Sequence, residues 1–169
     1  YSGSNTVRFV ADKEKGKIYR RSLYTFWKRT AAPPTMLTFD APSRESCSVR
    51  RARTNTPLQA LLLLNDVQFV ECARGLAGRL LEGPGTDTQR LTRGFRMVTS
   101  RSPTPREFEI LVESLATHRR EYRDNPKAAK AMLAVGEAPR PQSIDPAEFA
   151  AWSVLSNLLL NLDEAITKN

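Results

Sequence analysis

The segment from Arg50 to Asp66, RRARTNTPLQALLLLND, places a strong helix start directly after three arginines. Thr56 fits the N-cap position, because its hydroxyl can accept a hydrogen bond from the backbone N–H of Gln59. Pro57 fits the first helical position, where its missing N–H costs nothing. Gln59 lies three residues after the cap and can reach back to close a capping box. The pattern therefore predicts a helix that begins at Pro57.

This helix is predicted to continue to about Leu81, because Gly83-Pro84-Gly85 is the next strong stop signal. Its apolar residues recur at helical spacing and form an unusually wide arc, which predicts a central helix packed on more than one side. The arc consists of Leu58, Leu61, Leu62, Phe69, Cys72, Ala73, Leu76, Ala77 and Leu80, widened by Val67, Val70 and Leu81.

Two polar residues, Asn65 and Asp66, fall inside this arc. An unpaired carboxylate on a buried face is very costly, and the nearest positive charges in the sequence are Arg50, Arg51 and Arg53. We therefore predict that at least one of these arginines pairs with Asp66 and that Asn65 bonds to the backbone. In this interpretation Asn65, Asp66 and Arg51 form a structural polar network.

Two other interpretations of the arginines stay open. Guanidinium groups beside a helix N-terminus favour negative charge, so Arg50, Arg51, Arg53 and Thr56 are also a candidate anion-binding site. The third interpretation is a solvated run of charge.

Four later segments repeat the helix-start pattern, and no segment after residue 60 alternates with period two. The predicted starts are capping boxes at Thr86 and Thr104, and Asn125 and Asp145 before a proline. The predicted helices end near Ser100, Arg123, Val135 and Thr167, with a loop over residues 137–144. We therefore predict an all-α fold: a single-domain bundle of five or six helices, in which the Leu58–Leu81 and Phe149–Ile166 helices pack together at the centre.

The N-terminal part lacks this regularity. We assign residues 1–16 to a frayed remnant of an upstream region and residues 17–169 to a single helical domain. Lys17 to Arg29 has aromatic and aliphatic residues near helical spacing, which favours an amphipathic helix packed on the core over a nucleic-acid surface. Pro33 to Asn55 is a long irregular loop segment in which Met36–Phe39 is predicted to lie extended. Loops of this length are often functional, so we expect any site here.

The net charge of +8 belongs to the N-terminal third. Residues 1–60 contain 12 Lys and Arg but only four acids, whereas residues 61–169 contain 14 of each. Such a surplus suits an acidic partner, an anionic polymer or nucleic acid. The alternative is that it faces a neighbouring domain or pairs internally.

Several kinds of chemistry have little support in the sequence. One histidine and two cysteines leave almost no constellation for a metal site, and we predict none. His118 is expected to have a surface or packing role. Cys47 and Cys72 are expected to be free thiols, with one disulfide or a reactive Cys47 as the alternatives. The sequence has no CxxCH for covalent haem, no Gly-rich phosphate loop, no GxSxG and no apolar run long enough to span a membrane.

A family resemblance adds to this interpretation. Residues 20–74, RRSLYTFWKRTAAPPTMLTFDAPSRESCSVRRARTNTPLQALLLLNDVQFVECAR, resemble the planctomycete-specific domain of unknown function 1553, also called the Planctomycete PSD1 domain. FRMVTSRSPTPREFEIL, MLAVGEAP and LSNLLLNLDE resemble the C-terminal part of the same family. Cys72 stands where the family usually has alanine, which disfavours a structural disulfide.

The resemblance implies the C-terminal module of a large exported protein of the periplasm or cell envelope. Such proteins often carry a planctomycete-type cytochrome c domain and a companion domain of unknown function 1549 ahead of this one. Haem c is therefore expected only on a separate upstream domain, and no cofactor is expected in this chain. The family has no established activity, so the resemblance implies no catalytic residues.

Our first hypothesis is a non-catalytic helical interaction module that packs on upstream domains of the same chain and contacts an acidic partner or polymer. The second is an enzyme domain acting on polysaccharide or sulfated sugar, which a deep pocket joining the Pro33–Asn55 segment to the start of the central helix would favour. Its candidate residues are Arg50, Arg51, Arg53, Asp40, Glu45 and Asp66. Nucleic-acid binding through the basic N-terminal third is the least favoured hypothesis.

Overall fold

The fold is all-α, as predicted. A computed structural model of the protein describes residues 19–27, 32–42, 46–50 and 54–166, and these residues form eight α-helices, one 3-10 turn at Ser22–Tyr24 and no β-strand. The helices are α1 (Pro34–Thr38), α2 (Pro57–Asn65), α3 (Val67–Glu82), α4 (Asp87–Thr99), α5 (Pro105–Asp124), α6 (Pro126–Leu133), α7 (Pro146–Leu160) and α8 (Asp163–Ile166). Residues 1–16, assigned above to an upstream remnant, lie outside the described residues.

The five capped helix starts predicted from the sequence are all present. Thr56, Thr86 and Thr104 each form a complete capping box with the Gln or Glu three residues later. Asn125 and Asp145 cap α6 and α7 through their side-chain oxygens. These contacts satisfy backbone N–H groups that the first turn of a helix leaves open.

Helices α3 and α7 make the most extensive contact in the bundle, and α5 and α6 pack on α7 from its other sides. Most of α7 is buried, with Trp152 and Leu155 fully inaccessible to solvent. On α3, Ala73 and Ala77 are likewise fully buried, and such small side chains permit close approach of two helix axes. This arrangement confirms the prediction that these two segments form the centre of the fold.

The prediction of one continuous helix from Pro57 to Leu81 is wrong. Asp66 has an extended backbone (φ −67°, ψ 136°) that ends α2 and begins α3. Its carboxylate accepts a hydrogen bond from the N–H of Gln68 at 2.9 Å. Aspartate favours this N-cap arrangement over a place inside a helix, so the chain starts a new helix there.

The last helix is also shorter than predicted. α7 ends at Leu160, and the chain turns at Asn161 before the short helix α8. The break at Asp66, this second break and α1 together explain why the described residues contain more helices than the five or six expected.

The N-terminal predictions are corrected for the described residues. Over residues 19–27 the chain forms only the 3-10 turn, and Leu23 and Phe26 are largely exposed, so the predicted amphipathic helix packed on the core is wrong there. Met36–Phe39 is not extended, because its first three residues belong to α1. Phe39 packs edge-on against Phe69 at 6.2 Å between ring centroids, which holds the end of α1 on the bundle. No helix in the described part is long and apolar enough to cross a bilayer.

Candidate functional site

A buried glutamine, Gln59, forms hydrogen bonds with the polar groups around the N-terminus of α2. Gln59 is 2% exposed, and its Nε2 donates to the Thr38 carbonyl at 2.8 Å and to Thr54 Oγ1 at 3.0 Å. Its Oε1 accepts from the N–H of Thr56 at 3.0 Å. One side chain therefore closes the capping box and also holds the end of α1 against the entry to α2.

Asp40 completes this network from the other side. Its carboxylate accepts from the N–H of Thr54 at 2.8 Å and from the Thr54 hydroxyl at 2.8 and 2.9 Å. The backbone of Asp40 has φ 56°, in the left-handed region that Asp and Asn tolerate better than most residues. This carboxylate positions the backbone of the loop segment.

The predicted anion-binding residues are only partly described. Arg50 is exposed and has no partner among the described residues, whereas Arg51 and Arg53 lie outside them. The Thr56 hydroxyl already accepts from the N–H of Gln59 at 3.3 Å, and Pro57 has no N–H to offer. The capping box therefore leaves few open donors at the α2 N-terminus, and anion binding there stays a prediction.

The polar network predicted around Asp66 assumed that Asn65 and Asp66 lie on a buried face, but neither residue is buried in the structure. Asn65 is exposed and donates to the Leu61 carbonyl at 2.8 Å. Asp66 is half-buried and caps α3. Its predicted pairing with Arg51 involves a residue outside the described ones and stays a prediction.

The candidate catalytic residues Asp40, Arg50 and Asp66 line none of the four cavities found on the described residues. Four cavities of about 670, 620, 420 and 830 Å³ lie on the described part of the bundle. Glu45 lies outside the described residues. The cavities therefore give no support to a pocket joining the loop segment to the α2 start.

The cavity of about 830 Å³ contains a buried ion pair that the sequence patterns did not single out. Arg74 donates to the carbonyls of Leu133, Val135 and Ala138, each at 2.7 Å. These are carbonyls at the end of α6 and in the following turn, which would otherwise lack partners. Arg74 thereby fixes the α6–α7 connection onto α3.

Glu71 holds the same α6–α7 connection by accepting hydrogen bonds from the backbone N–H groups of that connection. Its Oε1 accepts from the N–H of Glu137 and, at 2.7 Å, from that of Ala138, and its Oε2 accepts from the Tyr19 hydroxyl at 2.8 Å. Gly136 makes this contact possible, because it has φ 82° and a Cβ there would overlap the Glu71 carboxylate. A glycine between two helical segments is the one sequence signal that could have pointed to this site.

Both acidic groups in this contact are held in one protonation state at neutral pH. Burial raises the pKa of Glu71, but hydrogen bonds from Ala138, Tyr19 and Glu137 and the charge of Arg74 outweigh it, and the net pKa is lowered. Tyr19 is half-exposed as a residue, yet burial at its hydroxyl and the hydrogen bond to Glu71 raise its pKa to about 12. A general acid or base works best with a pKa near the operating pH, so Glu71 and Tyr19 are better suited to a structural role than to proton transfer.

Two arginine clusters hold the other helices. Arg119 of α5 pairs with Asp87 at 2.6 Å and with Glu148 of α7, whose Oε1 also accepts from Trp152 Nε1 at 2.8 Å. Arg101 pairs with Glu107 at 2.6 Å and with Glu164 at 2.7 Å. These charges stabilise the ends of the bundle.

The remaining candidates for site chemistry are separate from one another. His118 Nδ1 lies 2.9 Å from Glu121 Oε2 on the same helix, and Cys47 and Cys72 are free. Burial, and the charge of Glu71, raise the pKa of the Cys72 thiol, which lowers its reactivity. Within the described ranges no group of three His, Cys, Asp or Glu could hold a metal ion. These residues do not fit haem attachment, since the sequence has no CxxCH.

Four exposed apolar residues follow one another along α2 and the start of α3, and we call them the leucine stripe: Leu58, Leu61, Leu64 and Val67. These side chains are 59%, 57%, 42% and 50% exposed. In α2 the buried residues are Gln59 and Leu63, so the helix buries a glutamine while three leucines face outward. The predicted apolar arc included Leu58 and Leu61 as core residues, and that part of the prediction is wrong because α7 packs on a different face of α2.

Comparison with known proteins identifies one family. The model of PSD1, described as a protein of unknown function (DUF1553), matches residues 3–115, more than half of the chain. This confirms the resemblance seen in residues 20–74, whereas the segments after residue 115 lie beyond the match. No curated protein and no solved structure matches the chain.

Proposed function

Because this chain belongs to the PSD1 family of proteins of unknown function (DUF1553), we propose that it is a non-catalytic helical interaction module. In this proposal its task is to hold another protein surface against the leucine stripe. The module works within a larger exported protein, and its first partners are upstream domains of the same chain. The resemblance to exported multidomain proteins supports a periplasmic or cell-envelope location.

The observation that carries the proposal is the exposure of the leucine stripe. Isolated surface leucines are common, but a contiguous apolar patch on a soluble domain often marks an interaction site. Here three leucines of α2 and Val67 at the start of α3 follow one another at intervals of three residues, and the buried positions of α2 include a glutamine. Each of these residues keeps 42–59% of its surface exposed in the described part of the structure, which leaves that surface available to a partner.

Catalysis and nucleic-acid binding are not part of the proposal. Asp40 holds the backbone of the loop segment, and Asp66 caps a helix, so the two candidate carboxylates that the structure describes both have structural partners. Nucleic-acid binding has only the charge surplus of the first 60 residues to support it, and the same surplus suits an acidic protein. Any haem of the larger protein would belong to a separate upstream domain.

Hydroxyl-radical footprinting of the full-length protein, isolated from its native compartment, tests the proposal with an internal control. Leu61 on the stripe and Ile110 on α5 are 57% and 46% exposed, so they should oxidise to similar extents if both face water. We expect Leu61 to be oxidised several-fold less than Ile110 in the assembled protein. Equal oxidation of the two side chains would overturn the proposal, and recovery of the protein in the cytoplasmic fraction would contradict the proposed location.

A further inference from the structure

The cavity of about 670 Å³ lies where three helices meet. It is lined by the last turn of α5, by α6 and by the first turn of α7, within residues 122–130 and 145–148, and we call it the three-helix cavity. Its volume falls within the range of about 300–1,000 Å³ that is usual for small-molecule sites. It shares no lining residue with the other three cavities or with the leucine stripe, so a ligand here is independent of any partner on the stripe.

Part of the cavity wall is apolar. Ala129 is fully buried, and Tyr122 packs against the hydrophobic core. Pro126, Pro146 and Ala147 complete the apolar part of the lining. Such a wall gains more from contact with a compact organic ring than from contact with water.

Two positive charges also line the three-helix cavity. Arg123 belongs to the last turn of α5, and Lys130 belongs to α6. Both residues are exposed, and neither side chain has an ion pair or a hydrogen bond with another described residue. The two cations therefore come from different helices, face the same cavity and are available to a ligand.

The two carboxylates on the cavity already have partners. Asp145 accepts from the N–H of Glu148 at 2.9 Å and so caps α7. Both oxygens of Glu148 accept from Nε of Arg119, at 2.8 and 3.1 Å. Arg119 also pairs with Asp87 at 2.6 Å, and Arg90 lies 3.8 Å from Asp87, so these two arginines balance two acids. The unbalanced charges of the cavity are therefore two positive and one negative, which favours a negative ligand.

The hydroxyl of Tyr122 adds a neutral donor. It has no partner among the described residues. Burial and the charge of Glu121 raise the pKa of Tyr122, so the hydroxyl keeps its proton at neutral pH. Asn125 caps α6 directly after α5, which holds the two helices that carry the cations. A site that is held in place loses little conformational freedom on binding, which favours affinity.

From these observations we infer that the three-helix cavity binds a small organic oxyanion, a compact ring that carries a carboxylate or a phosphate group. The ring packs on the wall formed by Tyr122 and Ala129. The guanidinium of Arg123 binds the anionic group, because arginine matches two oxygens of a carboxylate or phosphate with two N–H donors. The ammonium of Lys130 supplies the second charge. This inference goes beyond the proposed function, because it adds a small-molecule site to an interaction module.

Four probes with the same ring test the inference on the intact protein: benzoate, phenyl phosphate, benzyl alcohol and benzylamine. Two-dimensional NMR titrations measure their dissociation constants and show which residues they touch. Arg123→Gln and Lys130→Gln each remove one cation of the cavity. Arg120→Gln on α5 and Lys127→Gln on α6 are the matched controls. Each removes the same kind of charge three residues away, at an exposed position that lines none of the four cavities.

We expect at least one of the two anions to bind with a dissociation constant of about 1 mM or lower, which is reasonable for a ligand of about ten non-hydrogen atoms. Benzyl alcohol and benzylamine should bind at least about tenfold more weakly. Each cavity variant should weaken the anion by about tenfold, as loss of a charge-assisted hydrogen bond does, whereas Arg120→Gln and Lys127→Gln should change binding less than about twofold. The anion that binds more tightly identifies the ligand group as a carboxylate or a phosphate.

Three results would overturn the inference: no shift of the residues that line the cavity, binding of benzylamine as tight as that of the anions, or equal effects of the cavity variants and their controls. The last result would identify Arg123 and Lys130 as ordinary solvated charges. All four substitutions are at exposed positions, so their thermal unfolding midpoints should stay within about 2 °C of the parent. Failure here leaves the proposed function intact, because the cavity and the leucine stripe share no residue.

Discussion

The Nη2 atom of Arg74 lies 3.9 Å from Oε1 of Glu71, and both side chains are 3% exposed. They are buried between α3 and the chain that leaves α6, where each makes hydrogen bonds to the backbone of residues 133–138. A buried charge without partners is very costly, so the two residues depend on each other and on that turn.

Removing one member of this pair should destabilise the protein strongly. Glu71→Ala leaves the Arg74 guanidinium without its counter-charge and frees two N–H groups, so we expect a loss of about 3–5 kcal/mol in the free energy of unfolding. Urea denaturation monitored by circular dichroism measures this loss. Glu82→Ala, at an exposed position on the same helix, should stay within about 0.5 kcal/mol of the parent. Equal effects of the two variants would show that the pair contributes little.

Two glycines offer a contrast in backbone freedom. Gly136 has φ 82°, and a methyl group there would overlap Glu71, so Gly136→Ala should destabilise by more than about 1 kcal/mol. At Gly75, inside α3, a Cβ meets nothing within 4 Å, so Gly75→Ala should stabilise by about 0.5–1 kcal/mol. Thermal unfolding midpoints of the two variants should move in opposite directions. A shift in the same direction would contradict the assignment of strain to Gly136.

Stability should fall in acid. The hydrogen bonds from Arg101 and Thr104 lower the pKa of Glu107 from 4.5 to about 2. Its carboxyl binds a proton less readily in the folded than in the unfolded state, so its contribution is full above pH 4.5 and is lost as the pH falls toward 2. The free energy of unfolding should therefore drop over this interval, and Glu107→Gln should reduce the slope. An unchanged slope in the variant would assign the acid sensitivity to other carboxyls such as Glu71.

Stability should also fall in strong alkali, through Tyr19. Its pKa is raised from 10.0 to about 12 by burial and by its hydrogen bond to Glu71. The folded state keeps this proton more tightly than the unfolded state, so the contribution is full below pH 10 and is lost as the pH rises through 12. Tyr19→Phe should flatten the alkaline limb of the stability profile, whereas Tyr24→Phe, at an exposed tyrosine, should leave it unchanged.

The leucine stripe should be dispensable for folding. Because Leu58 and Leu61 are more than half exposed, their replacement by lysine should change the free energy of unfolding by less than about 0.5 kcal/mol. Leu63 is buried on the opposite side of the same helix, so its replacement by lysine should lower the free energy of unfolding several times more. Chemical denaturation of the three variants measures the contrast. A large loss at Leu61 would show that the stripe serves the core.

The sequence was sufficient for the parts of the fold that depend on neighbouring residues. Thr56, Thr86 and Thr104 form their capping boxes with residues three positions away, and these local contacts hold whatever the rest of the chain does. The apolar character of α3 and α7 was enough to predict that they pack together. Asp66 shows the limit of this reasoning, because the same residue suits a buried helix interior by its spacing and an N-cap by its chemistry.

Which faces are buried was decided only by the tertiary structure. Gln59 is buried because Thr38, 21 residues away, accepts its hydrogen bond, and Glu71 is buried because Ala138, 67 residues away, donates to it. No periodicity within a helix contains such partners, so the sequence assigned Leu58 and Leu61 to the core and left Gln59 and Glu71 unnoticed. Capping is settled between residues three apart, whereas the burial of a polar group requires a partner that only the folded chain brings near.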